Sequence, residues 1–199
     1  EERGMNVHTS AKVEKIERLK TKVKVHVTKE DGKKVLEAQL ALVAIGVQGN
    51  IERLGLEKVG VNVGKSYIQV NEVCQTSLPN IYAIGDVIGP PWLAHVASAE
   101  GRVAAEDICA KQPEPLNYGN IPWCTFCRPQ VASVGMTEKA ATDAGYTLKI
   151  GRFPMRASGK VLALGEPEGF VKVIFDEKYG ELLGCHIIGP EATELIAEA

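Results

Sequence analysis

The sequence predicts an α/β region followed by an α+β domain, and three observations carry that prediction. Two all-apolar runs, Ala41-Leu42-Val43-Ala44-Ile45 and Ile81-Tyr82-Ala83-Ile84, each end at a glycine. That composition suits strands buried on both faces of an α/β sheet. A helical pattern from about Leu93 to Cys109 follows the second run. Beyond Gln112-Pro113-Glu114-Pro115, a natural boundary, the pattern turns to several strands with two helices, the mark of an α+β domain.

The first part reads as a β-meander over residues 7–45. Val23, Val25 and Val27 alternate with Lys24 and His26, the period of a half-buried strand. Asp31-Gly32 signals a hairpin, and Val35 to Leu40 begins the return toward the apolar run ending at Gly46. The basic stretch Lys15 to Lys24 reads as a solvated strand edge. Val47-Gln48-Gly49-Asn50 is a turn or linker, and Tyr67, Ile68 and Val70 are candidate strand positions. The helix from Leu93 carries Ala97, Ala99, Ala104 and Ala105, small enough for close approach, and Gly101, which costs about 1 kcal/mol against alanine. In the last part Val131 to Val134 is a strand, and Thr137 caps a helix that stops at Gly145. Tyr146 to Met155 is extended, and Phe170 to Phe175 with Leu182 to Ile188 forms a hairpin. Pro190 opens a terminal helix with Ala192, Leu195, Ile196 and Ala199 on one face.

With 199 residues the chain can bury a sizeable core. Apolar residues at 45% and charged residues at 24% are ordinary globular proportions. A net charge of −2 offers no basic excess for nucleic acid or a membrane surface. Five cysteines form no disulfide framework, which predicts a reducing, cytoplasmic setting. Glu1-Glu2-Arg3-Gly4 lacks an initiator Met and an apolar signal core, and no cap follows Ala199. The expectation is an internal piece of a longer protein.

Asp86 stands directly after Gly85, at the C-terminal tip of the predicted Ile81–Ile84 strand, where parallel sheets bind ligands. The helix beginning near Leu93 follows within a few residues, and its first N–H groups carry partial positive charge. A carboxylate that accepts from sugar-like hydroxyls, beside a helix start that favours negative charge, suits a flavin. A strand-end Asp also serves as a loop or helix cap.

The stretch Leu78-Pro79-Asn80-Ile81-Tyr82-Ala83-Ile84-Gly85-Asp86, with Trp92-Leu93-Ala94-His95 after it, resembles the second flavin-binding motif of the pyridine-nucleotide disulfide oxidoreductases. Leu42-Val43-Ala44-Ile45-Gly46 is similar to the strand joining that family's NAD domain to its central domain. Pro129-Gln130-Val131-Ala132-Ser133-Val134-Gly135 and His186-Ile187-Ile188-Gly189-Pro190 resemble its interface domain. Leu93-Ala94-His95 and His186 to Pro190 favour the dihydrolipoamide dehydrogenase branch over the glutathione- and mercury-reducing ones.

The resemblance implies residues 1–46 as the end of an NAD-binding domain and 47–116 as part of a central FAD-binding domain. Residues 117–199 would be a C-terminally incomplete interface domain that mediates homodimerisation. Asp86 would bind the ribityl chain of FAD, and Trp92, Leu93, Ala94 and His95 would lie against its ring. Gly46 and Val13 would contact NAD. The implied partners are the lipoyl-bearing components of 2-oxo acid dehydrogenase complexes. One departure is local: the family has an Arg and a Pro soon after the counterpart of Gly46, and this chain has Val47-Gln48-Gly49-Asn50. Another is Arg128-Pro129-Gln130, where many members have His-Pro-Glu.

The sequence has no Gly-x-Gly-x-x-Gly phosphate loop. It also lacks the family's redox cysteines, separated by four residues, and its later His-Glu pair, so no catalytic residue is assigned and the chain alone is expected to be inactive. Cys124-Thr125-Phe126-Cys127 lies in extended flanks rather than at a helix start. Its cysteines are read as structural, not as a redox or zinc pair. His95 and His186 read as packed residues, and Glu194 as facing solvent or a dimer interface. The alternatives are a non-catalytic dimerisation or scaffold module, and another disulfide or mercury reductase of the same family.

Overall fold

A computed structural model describes residues 4–199; the opening Glu1, Glu2 and Arg3, which figured in the reading of the N-terminus, lie outside the described residues. The chain divides into two compact units between Val47 and Gln48.

The first unit is a three-stranded antiparallel meander: β1 (Lys12–Arg18), β2 (Val23–Lys29) and β3 (Gly32–Ala38), in that order across the sheet. Glu30-Asp31 makes the β2–β3 turn and Gly32 opens β3, so Lys29 pairs with Gly32 and Val25 with Leu36. Val27, central in the middle strand, is buried. The expected buried strand over Ala41–Ile45 does not form. That stretch is irregular, and Leu42 and Ile45 are each 93% exposed. A fully apolar strand needs a ladder on its edges and layers on both faces, and among the described residues of this unit nothing supplies them.

The second unit begins with irregular chain wrapped on a small core of Val61, Ile68 and Ala83. Ile51, Leu56, Val70, Leu78, Ile81, Val87 and Ile88 pack against it, and α1 (Leu56–Val59) is a single turn. Tyr67, Ile68 and Val70 lie outside any sheet strand: Tyr67 is in a bend, and Ile68 makes one isolated bridge to Val63 and donates its N–H to the Val87 carbonyl. The Ile81–Ile84 run is also extended rather than a sheet strand: its one bridge is Gln75 to Tyr82, and Ile84 is 40% exposed. Asp86 therefore does not cap a strand. It sits in a 3-10 turn over Gly85–Ile88.

Helix α2 (Ala94–Ile108) matches its expected span and buries Val96, Glu100, Val103 and Ala104 on one face. After the irregular Gln112–Pro115 segment comes a five-stranded antiparallel sheet in the order β4-β5-β8-β7-β6. Its strands are β4 (Trp123–Thr125), β5 (Gln130–Gly135), β6 (Leu148–Pro154), β7 (Phe170–Asp176) and β8 (Leu182–Gly189). Along β7, Val171 and Val173 pack against one core and Ile174 belongs to another, as alternation across a strand requires. The first core joins Ala132, Val134, Cys185 and Ile187 to Met155, Val161, Ala192 and Ile196. These last come from the segment around α4 (Gly159–Leu164) and from the C-terminal turns. The second core joins Ile174 and Leu183 to Ala141 of α3 (Glu138–Asp143). Thr137 caps α3 as expected, its hydroxyl accepting from the Ala140 N–H at 3.1 Å. The terminal helix is shorter than expected: α5 (Ala192–Leu195) is one turn that tightens to 3-10 over Ile196–Glu198. Pro190 precedes it by two residues.

Candidate functional site

The sequence-predicted residues fall into two groups in separate units. Val13 and Gly46 belong to the first. Val13 lies on β1 opposite Val27 and is 54% exposed, and Gly46 is exposed in irregular chain. Asp86, Trp92, Leu93, Ala94 and His95 belong to the second, on two consecutive pieces of chain that end in α2.

Asp86 is exposed, second in its 3-10 turn. Gly85, which starts that turn, has φ +73°, a region that L-residues enter at a cost of roughly 1–2 kcal/mol. The turn lies against α2 with no room to spare. A Cβ on Gly85 would come within 3.2 Å of Ala97 Cβ, and one on Gly101 within 3.2 Å of Ile84 Cδ1. Ala97 and Gly101 are four residues apart and so share a helix face. The close approach at Gly101 is to the end of the Ile84 side chain.

Two carboxylates on α2 fasten this segment. Glu100 is 3% exposed. Its Oε2 accepts from the Gly85 N–H at 2.7 Å, and its Oε1 accepts from the Tyr118 hydroxyl at 2.8 Å. Two turns on, Asp107 Oδ2 accepts from the Tyr82 hydroxyl at 2.6 Å, and Tyr82 accepts from Gln75 Nε2 at 3.0 Å. Burial, and then the Glu100 bond, push the Tyr118 phenol up, so it stays a donor. Burial and the Glu100 charge push the Cys74 thiol up to about 11. Neither Glu100 nor Asp107 was singled out from the sequence. The signal was present: Val96, Glu100, Val103 and Asp107 fall at helical spacing on the face that packs inward.

At its start α2 is open. Leu93 stands in the N-cap position without a side-chain cap, and the first helix-made bond is Ala97 N–H to Leu93 O at 3.0 Å. The N–H groups of Ala94, His95 and Val96 therefore have no intrahelical acceptor. His95 is exposed, with Nε2 3.0 Å from the Pro122 carbonyl. The carbonyl can only accept, so Nε2 carries the proton. The Trp92 ring lies 6.4 Å from that of Tyr67, tilted by 33°.

The remaining candidates lie elsewhere. Cys124 is half-buried on β4 and Cys127 is exposed beyond it, its thiol donating to the Pro129 carbonyl at 3.1 Å. His186 on β8 bonds through Nε2 to the Met136 carbonyl at 3.0 Å, and Glu194 is exposed. Among the described residues no helix is long and apolar enough to cross a membrane.

Two family models match this sequence. Residues 1–101 match pyridine nucleotide-disulphide oxidoreductase, and residues 121–199 match the dimerisation domain of the same family. The dihydrolipoyl dehydrogenase of Rhizobium etli is 49% identical over 98% of the chain, and that of Chlorobaculum tepidum 47% identical over 100%. The chain spans 41% and 42% of their lengths. Among solved structures, LpdA from Mycobacterium tuberculosis superposes with a TM-score of 0.87 at 30% identity, over 99% of this chain and 42% of that one. The HOCl-induced flavoprotein disulfide reductase RclA from Escherichia coli gives 0.84 at 25% identity, over 94% and 42%.

Proposed function

The chain belongs to the pyridine nucleotide-disulphide oxidoreductase family, and from that premise we propose that it serves as part of a dihydrolipoyl dehydrogenase. The proposed reaction takes dihydrolipoamide and NAD+ to lipoamide, NADH and a proton. FAD, when bound, supplies the two-electron carrier between a dithiol and the nicotinamide.

The residues present suit that group. Asp86 offers an exposed carboxylate that accepts from the ribityl hydroxyls. The open start of α2 offers N–H groups and the positive end of a helix dipole to the electron-rich end of the ring. Trp92, Leu93, Ala94 and His95 line the approach, with His95 held by Pro122 and assigned no proton transfer. Gly46 and Val13 contact NAD from the first unit. Residues 1–46 act as the end of an NAD domain, 47–116 as part of the FAD domain, and 117–199 as the surface of a homodimer. Lipoyl-bearing components of 2-oxo acid dehydrogenase complexes are its partners, in the cytoplasm.

The observation that carries the proposal is the juxtaposition of an exposed Asp86 with an uncapped 15-residue helix start a few residues on. Anaerobic titration of the full-length protein tests it. Dihydrolipoamide bleaches the flavin absorbance and NAD+ restores it, whereas glutathione disulfide and mercuric ion, offered with NADH or NADPH as electron donor, produce no turnover. A flavin that dihydrolipoamide leaves oxidised sinks the assignment to this branch.

A further inference from the structure

We propose that Glu100 is the positioning residue of the flavin-facing turn. Its buried carboxylate fixes Gly85, and through Gly85 the aim of Asp86, while Tyr118 holds the carboxylate in place. The inference rests on the flavin reading above and deepens it.

Glu100 is 3% exposed, on the inward face of α2 between Val96 and Val103, which are 1% and 2% exposed. A helix that only needed packing would carry another apolar residue there, since burying a carboxylate costs far more than burying a valine. Among the described residues no ion pair offsets that cost: Glu100 accepts from one backbone N–H and one phenol. Both are charge-assisted, and so stronger than neutral bonds. Their donors are far apart in sequence. Gly85 is the residue before Asp86, and Tyr118 lies in the 3-10 turn that leads to β4. Glu100 thus ties the turn bearing Asp86 to α2 and to the chain entering the second sheet. The small residues Ala97 and Gly101 let the helix come close enough for the bond to form. An N–H held at 2.7 Å in a residue at φ +73° sets the direction in which the next residue leaves. That next residue is Asp86.

The test uses the full-length protein, stripped of flavin and titrated with FAD, alongside the melting temperature of each apoprotein. Glu100→Ala removes both acceptors and weakens FAD by about 10- to 100-fold. Tyr118→Phe keeps the ring, frees one carboxylate oxygen and weakens FAD by about 3- to 10-fold. Glu100→Gln retains an acceptor for Gly85 and a donor for the Tyr118 oxygen, and stays within about threefold of wild type. If Glu100→Ala fails to fold, the other two variants decide. Lowered apoprotein melting temperatures with unchanged FAD affinity in Tyr118→Phe and Glu100→Ala would make the carboxylate merely structural and overturn the proposal. Glu100→Gln binding FAD as weakly as Glu100→Ala also overturns it, since the geometry would then not be what matters. A wild-type protein that binds no FAD refutes the flavin reading itself, and this inference with it. Wild-type binding with equal affinity in all variants refutes the inference alone.

Discussion

Gly85→Ala is the most direct probe of the turn that presents Asp86. The substitution forces an L-residue to hold φ near +73°, at a cost of roughly 1–2 kcal/mol. It also sets a methyl 3.2 Å from Ala97 Cβ. That neighbour is fixed on a helix and cannot rotate away, so the turn must back off by a few tenths of an ångström. Overpacking of this kind costs about 1 kcal/mol at its mild end, and the same movement lengthens the bond from Gly85 to Glu100. The sum is about 2–3 kcal/mol. With a urea m-value of about 2 kcal/mol/M for a unit of this size, the unfolding midpoint of the 199-residue chain falls by about 1–1.5 M. Gly159→Ala is the control. Gly159 opens α4 and a Cβ there meets nothing within 4 Å, so the change stabilises by about 0.5 kcal/mol through the unfolded state. A Gly85→Ala chain within about 0.5 kcal/mol of wild type would mean that the turn is not held at positive φ against α2.

Four further outcomes are expected. Ile174→Ala, at a residue with 0% exposure, loses about 2.4 kcal/mol of transfer energy for three carbons. With the cavity the total is about 3–4 kcal/mol in urea unfolding, whereas Leu42→Ala, at 93% exposure, changes stability by less than about 0.5 kcal/mol. Thiol titration of the folded chain at neutral pH shows Cys109 and Cys127, both exposed, reacting first. Cys74 and Cys185, whose pKa values burial raises, react only on unfolding, and a fast Cys74 would contradict its placement. The bond from Lys172 holds the Glu138 carboxyl below its ordinary value of 4.5. A depressed folded pKa gives stability above the unfolded value that is lost as pH falls through the folded one. The difference between wild type and Glu138→Gln is therefore fully present above the ordinary carboxylate value of 4.5 and shrinks as the pH falls below it in acid unfolding. Finally, the 199-residue chain purified alone carries no stoichiometric flavin spectrum, because one carboxylate and one helix start do not hold a dinucleotide whose phosphate loop this sequence lacks. A yellow preparation refutes that.

Elements specified by neighbouring residues were legible. Asp31-Gly32 announced the β2–β3 hairpin, Thr137 announced the cap of α3, and the small and apolar residues from Leu93 onward announced α2 almost to its ends. Within the candidate site, the Gly85-Asp86 pair and the Trp92–His95 stretch were visible as motif residues. Glu100, Asp107 and Tyr118 were not. Their significance lies in bonds across 15, 25 and 18 residues of chain, and a hydrogen bond of that reach leaves no local pattern beyond an acid on an apolar helix face.

By itself, then, the sequence determined the family resemblance, the local turns and caps, and the amphipathic helix and strands of the second sheet. It did so because each depends on periodicity or on one residue's backbone preference. Only the tertiary structure decided the fate of the two apolar runs, Ala41–Ile45 and Ile81–Ile84. Composition makes such a run suitable for burial, but a strand exists only where another strand pairs with it and layers cover its faces. The second run instead packs Ala83 into a small core and delivers Gly85 to Glu100. In that way Asp86 came to stand in a turn clamped to a helix rather than at the tip of a strand.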